Sequence, residues 1–177
     1  MANGIVRKLA VSATEDNAIN RAAVHTIVVQ NGMVMSLGDR NTDGTWDAST
    51  PATATLGALW MAADSGENVI TDANGGVYNV DGTSDPSLFS VAIGRAFSIF
   101  KPQVGDIVLL STDAVGTYAS EGFLVAADGE DKLQASAAAI SGLSLKVLDE
   151  TSLIGVPSKT LGGTSSVGYR CEVVAVA

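Results

Sequence analysis

The sequence predicts a mainly β protein: a small β-barrel or β-sandwich with an N-terminal arm and room for one or two short helices. Three observations lead there. Short apolar runs recur between turn residues about every ten positions, the spacing of a barrel or sandwich. Several runs alternate large and small side chains, the period of a strand. One apolar stretch is divided by Asn31-Gly32, a hairpin signal because both central residues of a type I′ turn need positive φ.

Length and composition bound the rest. The chain has 177 residues, which fits one β-rich domain over residues 21–177 behind an arm of residues 1–20. A chain of this size buries about 70% of its unfolded surface without staples. Hydrophobic residues make up 46%, which argues against wholesale disorder. Charged residues are only 16%, against a typical quarter or so. A surface so poor in charge and rich in small apolar side chains is expected to be covered in part by a partner. The net charge of −9 repels phosphates and anionic lipid, and the longest basic run is Arg7-Lys8. No nucleic acid is therefore expected as a partner. Cys171 is the only cysteine, which leaves no intrachain disulfide and no cysteine-based metal pattern. Neither a signal-type apolar segment in residues 1–9 nor a run of about 18 apolar residues is present. Synthesis and folding in cytoplasm, without a membrane, are the expectation.

The elements follow in order. In residues 1–20, Ile5, Val6, Leu9 and Val11 are apolar without turn punctuation. They suit an arm that docks on a neighbour, or a first edge strand. A short helix capped by Ser12 or Thr14, or a loop, follows. Residues 24–37 read as a hairpin that pairs Val28 with Met35 and Thr26 with Leu37. Val24, Val28, Met33, Met35 and Leu37 then share one face, and Ile27, Val29 and Val34 the other. Both faces are apolar, so the hairpin must be sandwiched by its own domain or by another chain. Residues 39–55 read as a long polar loop. A short apolar run covers 56–62, turns bracket 68–71, and 77–80 is a brief strand.

Residues 85–100 carry two patterns. Asp85-Pro86 starts a helix well, and Phe89, Ile93, Phe97 and Phe100 have helical spacing. Against this, Phe89, Val91, Ile93, Phe97 and Ile99 alternate with Ser90, Ala92, Gly94, Ala96 and Ser98, which favours a strand. Residues 104–111 read as a central strand buried on both sides, and 122–126 as another strand. Residues 130–140 permit a helix with Leu133, Ala137 and Ile140 on one side, or an Ala/Ser-rich loop. Leu143, Leu145 and Val147 mark a half-buried strand, and 161–166 a Gly/Ser/Thr loop. A final strand spans 169–176, with Tyr169, Cys171 and Val173 on one face.

Catalysis needs a titrating group, a nucleophile with a base, or a metal. His25 is the only histidine; it lies in an apolar run, where a packed or edge-exposed strand histidine is favoured over a general base. No Gly-x-Ser-x-Gly elbow occurs, and Leu161-Gly162-Gly163-Thr164 lacks the lysine of a P-loop. Glu15-Asp16, Glu130-Asp131 and Asp149-Glu150 pair carboxylates. A glycosidase cleft is nevertheless hard to furnish with aromatics at 5% and only Trp46 and Trp60 as platforms. The expectation is no enzyme. One stretch has ligand spacing. Asp39, Asn41 and Asp43 alternate ahead of Gly44, with Asp47 in the ninth position, like the start of a calcium loop. The twelfth position is Thr50 rather than a bidentate glutamate, and no helices flank the loop. The bland reading is a polar hairpin loop; the sharp one is a calcium site of Asp39, Asn41, Asp43 and Asp47, with no other cofactor expected.

Residues 56–110, about a third of the chain, follow a longer pattern. An apolar strand, a Gly-rich polar turn and a short strand lead to Ile93-Gly94-Arg95-Ala96 and then to Val104-Gly105-Asp106-Ile107-Val108. This stretch resembles the capsid decoration (cement) proteins of tailed phages. The resemblance implies a structural protein made in the host cytoplasm and carried on the virion exterior. It would bind the major capsid protein and clamp neighbouring capsomers as a homo-oligomer, with a trimer favoured. It also implies no catalytic residues, and an arm able to add a strand to a capsid sheet edge. Residues 39–55 and 130–140 have no counterpart in that pattern, which leaves the oligomeric state open. The alternative is a carbohydrate- or cell-surface-binding β-module that uses the calcium-like loop with Trp46 as a sugar platform. A hydrolase of unrecognised type stands third.

Overall fold

The computed structural model describes residues 6–10, 20–55, 57–63, 69–71, 77–79, 90–116, 122–152 and 167–176. The described chain is mainly β. Its strands are β1 (Val6–Ala10), β2 (Asn20–His25), β3 (Val34–Arg40), β4 (Trp46–Ser49), β5 (Leu59–Ala62), β6 (Val69–Thr71) and β7 (Val77–Asn79). They continue with β8 (Phe97–Phe100), β9 (Ile107–Ser111), β10 (Phe123–Val125), β11 (Gln134–Ser136), β12 (Ser144–Ser152) and β13 (Val167–Ala175). Among the described residues the one helical turn is a 3-10 turn, Thr112–Ala114. No helix there is long and apolar enough to cross a membrane.

Two sheets carry the fold. One closes into a barrel in the order β2-β4-β3-β5-β8, and the other is a six-stranded sheet in the order β1-β9-β13-β12-β10-β11. Within the barrel, β2 runs parallel to β4, and the remaining pairs are antiparallel. Strand alternation decides what fills each core. Ala23, Met35, Ala48, Trp60, Ala62, Phe97 and Ile99 point into the barrel. Their neighbours Val34, Leu59, Met61 and Phe100 point the other way, into a second core. There they meet Val108, Leu110, Leu124, Leu145, Tyr169, Cys171 and Val173 of the six-stranded sheet. Strands β3, β5 and β8 therefore form a wall between two cores, which is why β5 reads Leu-Trp-Met-Ala and is buried at every position. Each large side chain fully buried in this way contributes about 1.5–3 kcal/mol.

The wall explains one expectation and overturns another. The apolar character on both faces around Val34 and Met35 is satisfied within the chain itself, one side chain in each core. The hairpin of residues 24–37 does not form. A turn exists at Asn31-Gly32, with Met33 N–H donating to Gln30 O at 3.3 Å, but β2 lies beside β4 and β8 while β3 lies beside β4 and β5. The connecting segment finds other partners. Val29 exchanges backbone bonds of 3.0 and 2.8 Å with Val91, and Gly32 N–H donates to Ala62 O at 2.8 Å. The turn thus carries the chain across the barrel end to a strand that is not its neighbour. Gly32 is required there: its φ is +89, and a Cβ would lie 2.7 Å from Ala114 Cβ.

Three other readings change. Residues 39–55 are not one long loop, because β3 and β4 pair as a hairpin around a tight loop at 41–45. Within 130–140 the helix does not form. Leu133 bridges Val115, and Gln134–Ser136 pairs with β10 at the sheet margin, since small Ala and Ser side chains give a helix too little apolar face to compete. In residues 90–100 the strand reading holds for Phe97–Phe100, with Phe97 and Ile99 inward and Ser98 exposed. Residues 92–96 are an exposed turn with Gly94 at φ +72. The Asp85-Pro86 start, Phe89, the Ser12 or Thr14 cap and the 161–166 loop lie outside the described residues.

The strands read near 104–111, 122–126, 143–147 and 169–176 are present as β9, β10, β12 and β13. The first begins only at Ile107, after a turn at Val104-Gly105 where Asp106, 1% exposed, accepts from Gln103 N–H at 2.9 Å. Of the two readings for the N-terminal apolar stretch, Val6–Ala10 adopts the edge strand, paired with β9. Lys8 on that strand sets its Nζ 4.6 Å from the centre of the Phe100 ring. An inward-facing charge at a sheet edge discourages edge-to-edge pairing with other chains.

Candidate functional site

Strands β2 and β4 are the part of the barrel not built into the shared wall, and the groups with chemistry gather there. The 41–45 loop closes with Asn41 N–H donating to Thr45 O at 2.8 Å and Gly44 N–H donating to Asn41 O at 3.0 Å. Gly44 takes the left-handed conformation, φ +91, that a short hairpin loop of this kind demands. Asp43 Oδ1 accepts from the Thr45 N–H at 2.9 Å and from the Thr45 hydroxyl at 2.7 Å. These bonds hold the Asp43 carboxyl below the usual carboxylate range. Asn41 Nδ2 donates to Asp47 Oδ1 at 2.8 Å and to Thr45 Oγ1 at 3.2 Å.

The structure thus gathers Asn41, Asp43 and Asp47 of the sequence-predicted set, whereas Asp39 stands exposed on β3 and adds no bond to the network. Among the described residues no group of three or more His, Cys, Asp or Glu side chains is placed to hold a metal ion. The loop's hydrogen bonds explain its composition on their own: Asp43 and Asn41 act as turn formers.

His25 ends β2 and is 8% exposed. The Ile27 N–H donates to its Nδ1 at 3.1 Å, and Gly94 N–H donates to its carbonyl at 3.0 Å. With Nδ1 an acceptor, the neutral ring carries its proton on Nε2. Burial pushes the imidazole below its ordinary value, and the charge of Asp131 partly opposes this. Residue His25, with Asn41, Asp43, Thr45, Asp47 and Gly94, borders an open depression of about 540 Å³.

Two further features come from the same strands. Arg21, inward on β2 with Ala23, places its guanidinium 4.1 Å from the Trp46 ring centre and 4.9 Å from that of Trp60. A cation bracketed by two indoles closes this part of the barrel, and the Trp46 face it covers is taken by protein. Sequence reasoning missed this; the signal was Arg21, Ala23 and His25 at every second position. Next to the depression, Ile27 (37% exposed), Val28 (47%) and Ile93 (63%) are exposed aliphatic side chains. Their two segments are tied together by the Val29–Val91 backbone pair and the His25–Gly94 bond.

Neither Asp149 nor Cys171 lines the depression. Asp149 is ion-paired with Arg170 on the surface, a pair of small energetic weight. Cys171 is fully buried, and desolvation first and Asp149 second push its thiol up to about 12. No protein-family model, curated protein or solved structure matches the chain.

Proposed function

We propose that the chain is a structural protein of a tailed-phage virion, a decoration protein seated on the outside of an assembled capsid. It binds the major capsid protein and cements neighbouring capsomers. The observation that carries this reading is the exposure of Ile27, Val28 and Ile93 on two segments that backbone bonds tie together. Single exposed aliphatics are ordinary on a monomer, whereas several on segments bonded to each other favour a contact surface. Ile93 also lies within residues 56–110, the stretch that resembles decoration proteins. A ligand that binds only the assembled shell stabilises that shell by mass action. The reading requires no reaction, and a charge of −9 keeps the chain off packaged nucleic acid. A homo-oligomer, with a trimer favoured, repeats these side chains and multiplies a modest affinity into avidity.

The test is co-sedimentation with purified capsids that lack the chain. The expected outcome is saturable binding at a fixed stoichiometry, weakened at least about tenfold by Ile93→Asp, which places a charge in the apolar contact. A chain left in the supernatant over intact capsids would overturn the proposal.

A further inference from the structure

We infer that His25 is a proton-operated latch on the exposed segment 26–28: the neutral imidazole holds the segment, and the protonated ring releases it while the barrel stays folded. Residues 26–28 join the end of β2 to Val29 and are exposed throughout. Both flanks are fixed. Gly94 N–H donates to His25 O at 3.0 Å, and Val29 exchanges two backbone bonds with Val91. Between these points, among the described residues, the segment makes a single hydrogen bond, from the Ile27 N–H to His25 Nδ1 at 3.1 Å. The ring that accepts it is 8% exposed and shares the inward face of β2 with Ala23, opposite Ala48 in the β4 register.

Protonation reverses the chemistry of that bond. The neutral ring accepts at Nδ1 and carries its proton on Nε2; in the protonated ring both nitrogens are donors, and Nδ1–H meets the Ile27 N–H head-on. Among the described residues no second bond then holds residues 26–28. The neighbouring charges set when this happens. Asp131, in the stretch whose backbone accepts from Val34 N–H, favours the protonated ring. Arg21 lies two inward positions back along β2 and is engaged between Trp46 and Trp60. Arg95 is exposed in the turn beside Gly94, and Asp43 and Asp47 belong to the β3–β4 hairpin, both exposed. Burial outweighs Asp131 and keeps the held ring below its ordinary 6.5. With the segment released, water reaches the ring and returns it towards that value. The held state is therefore favoured above 6.5 and loses ground beneath it, by up to about tenfold in population per pH unit. The same crossing carries a second weakness. Gln30 Oε1 is buried without a partner among the described residues, and a buried acceptor left unsatisfied destabilises the closed arrangement. The latch is a property of the chain itself; its use, freeing Ile27 and Val28 in acid and so weakening attachment to a shell, rests on the capsid reading.

The experiment follows the full chain by NMR from about pH 8 to about pH 4.5, which spans the ordinary histidine transition. The His25 ring nitrogens report protonation. Amide exchange, expressed as a protection factor with the intrinsic pH dependence removed, reports release. Protection of the Ile27 amide should fall below pH 6.5 in step with the ring, by up to about tenfold per pH unit, while the Val108 and Leu110 amides keep theirs. His25→Gln, which keeps a side-chain acceptor that does not titrate, should make Ile27 protection independent of pH. Asp131→Asn removes the charge that favours protonation and should move release to lower pH; it decides the matter should His25→Gln not fold. An Ile27 amide equally protected across the range overturns the inference. So does a fall that persists in His25→Gln, a midpoint unmoved in Asp131→Asn, or the loss of all amide protection together. A chain that binds no capsid at any pH overturns the capsid reading, while the amide data alone decide the latch.

Discussion

The barrel and the six-stranded sheet share a wall and otherwise solve opposite problems. The barrel has no edge, because its five strands close on one another. Its small interior alternates Ala23, Ala48 and Ala62 with Met35, Trp60 and Phe97. The sheet is open, ends at β1 and β11, and buries a more uniformly aliphatic core led by Val108, Leu110, Leu124, Leu145 and Val173. Strands β3, β5 and β8 serve both cores through Val34, Met35, Leu59, Trp60, Met61, Phe97, Ile99 and Phe100. Strands β2 and β4 serve only the barrel. Their outward residues include the half-buried Val24 and the exposed Asp47 and Ser49, and that is where the depression lies. The lesson is that buried apolar side chains concentrate in the shared wall, while β2 and β4 turn polar groups to solvent on the side away from it.

The largest effect should come from breaking the wall. Phe100→Ala removes a side chain that is 1% exposed and should cost about 3–5 kcal/mol in urea denaturation. The wild-type protein should unfold in a single transition, because neither core is complete without β3, β5 and β8. Separate transitions for tryptophan fluorescence, which reports on the barrel through Trp46 and Trp60, and for far-ultraviolet circular dichroism would break the comparison.

A smaller loss sharpens it. Arg21→Met keeps the aliphatic stem but removes the cation between the indoles of Trp46 and Trp60, and should cost about 1 kcal/mol, with an altered tryptophan emission. The matching change at the sheet edge, Lys8→Met, should cost less, because Lys8 is exposed and meets one ring, that of Phe100. Its visible effect should be greater self-association.

The smallest effect is a pH dependence. His25 has a folded value lowered from its ordinary 6.5, so below 6.5 the unfolded chain takes up a proton that the folded chain refuses. Stability should be flat above that pH and fall as the pH drops below it through the lowered folded value. His25→Gln should remove this fall. Asp43 has the opposite charge type. Its folded value lies below the ordinary 3.8, so its contribution is present above 3.8 and is lost only as the pH falls beneath it. Chemical denaturation midpoints measured across the pH range separate the two windows.

Much of this fold was legible because period two survives in single elements. The Leu143, Leu145, Val147 and Tyr169, Cys171, Val173 patterns each became a strand with the stated face inward. What failed was pairing. Asn31-Gly32 predicts a turn from local φ preference, but which strands meet depends on closing a barrel in which β4 lies between β2 and β3. Two apolar faces on Val34 and Met35 signalled a sandwich without saying that the chain supplies both slices. The acidic loop was visible at Asp39, Asn41, Asp43 and Asp47, yet spacing alone did not tell that Asp39 stays out. The part of His25 could not be read either, because the commitment of Nδ1 is a matter of backbone geometry at Ile27.

The measurement that bears most directly on the proposed role is an electron cryomicroscopy reconstruction of a virion that carries this chain. The expected result is the barrel on the outer surface of the shell, with Ile27, Val28 and Ile93 buried against the major capsid protein at capsomer boundaries. A chain absent from the shell exterior, or one seated there with those side chains turned to solvent, would contradict it.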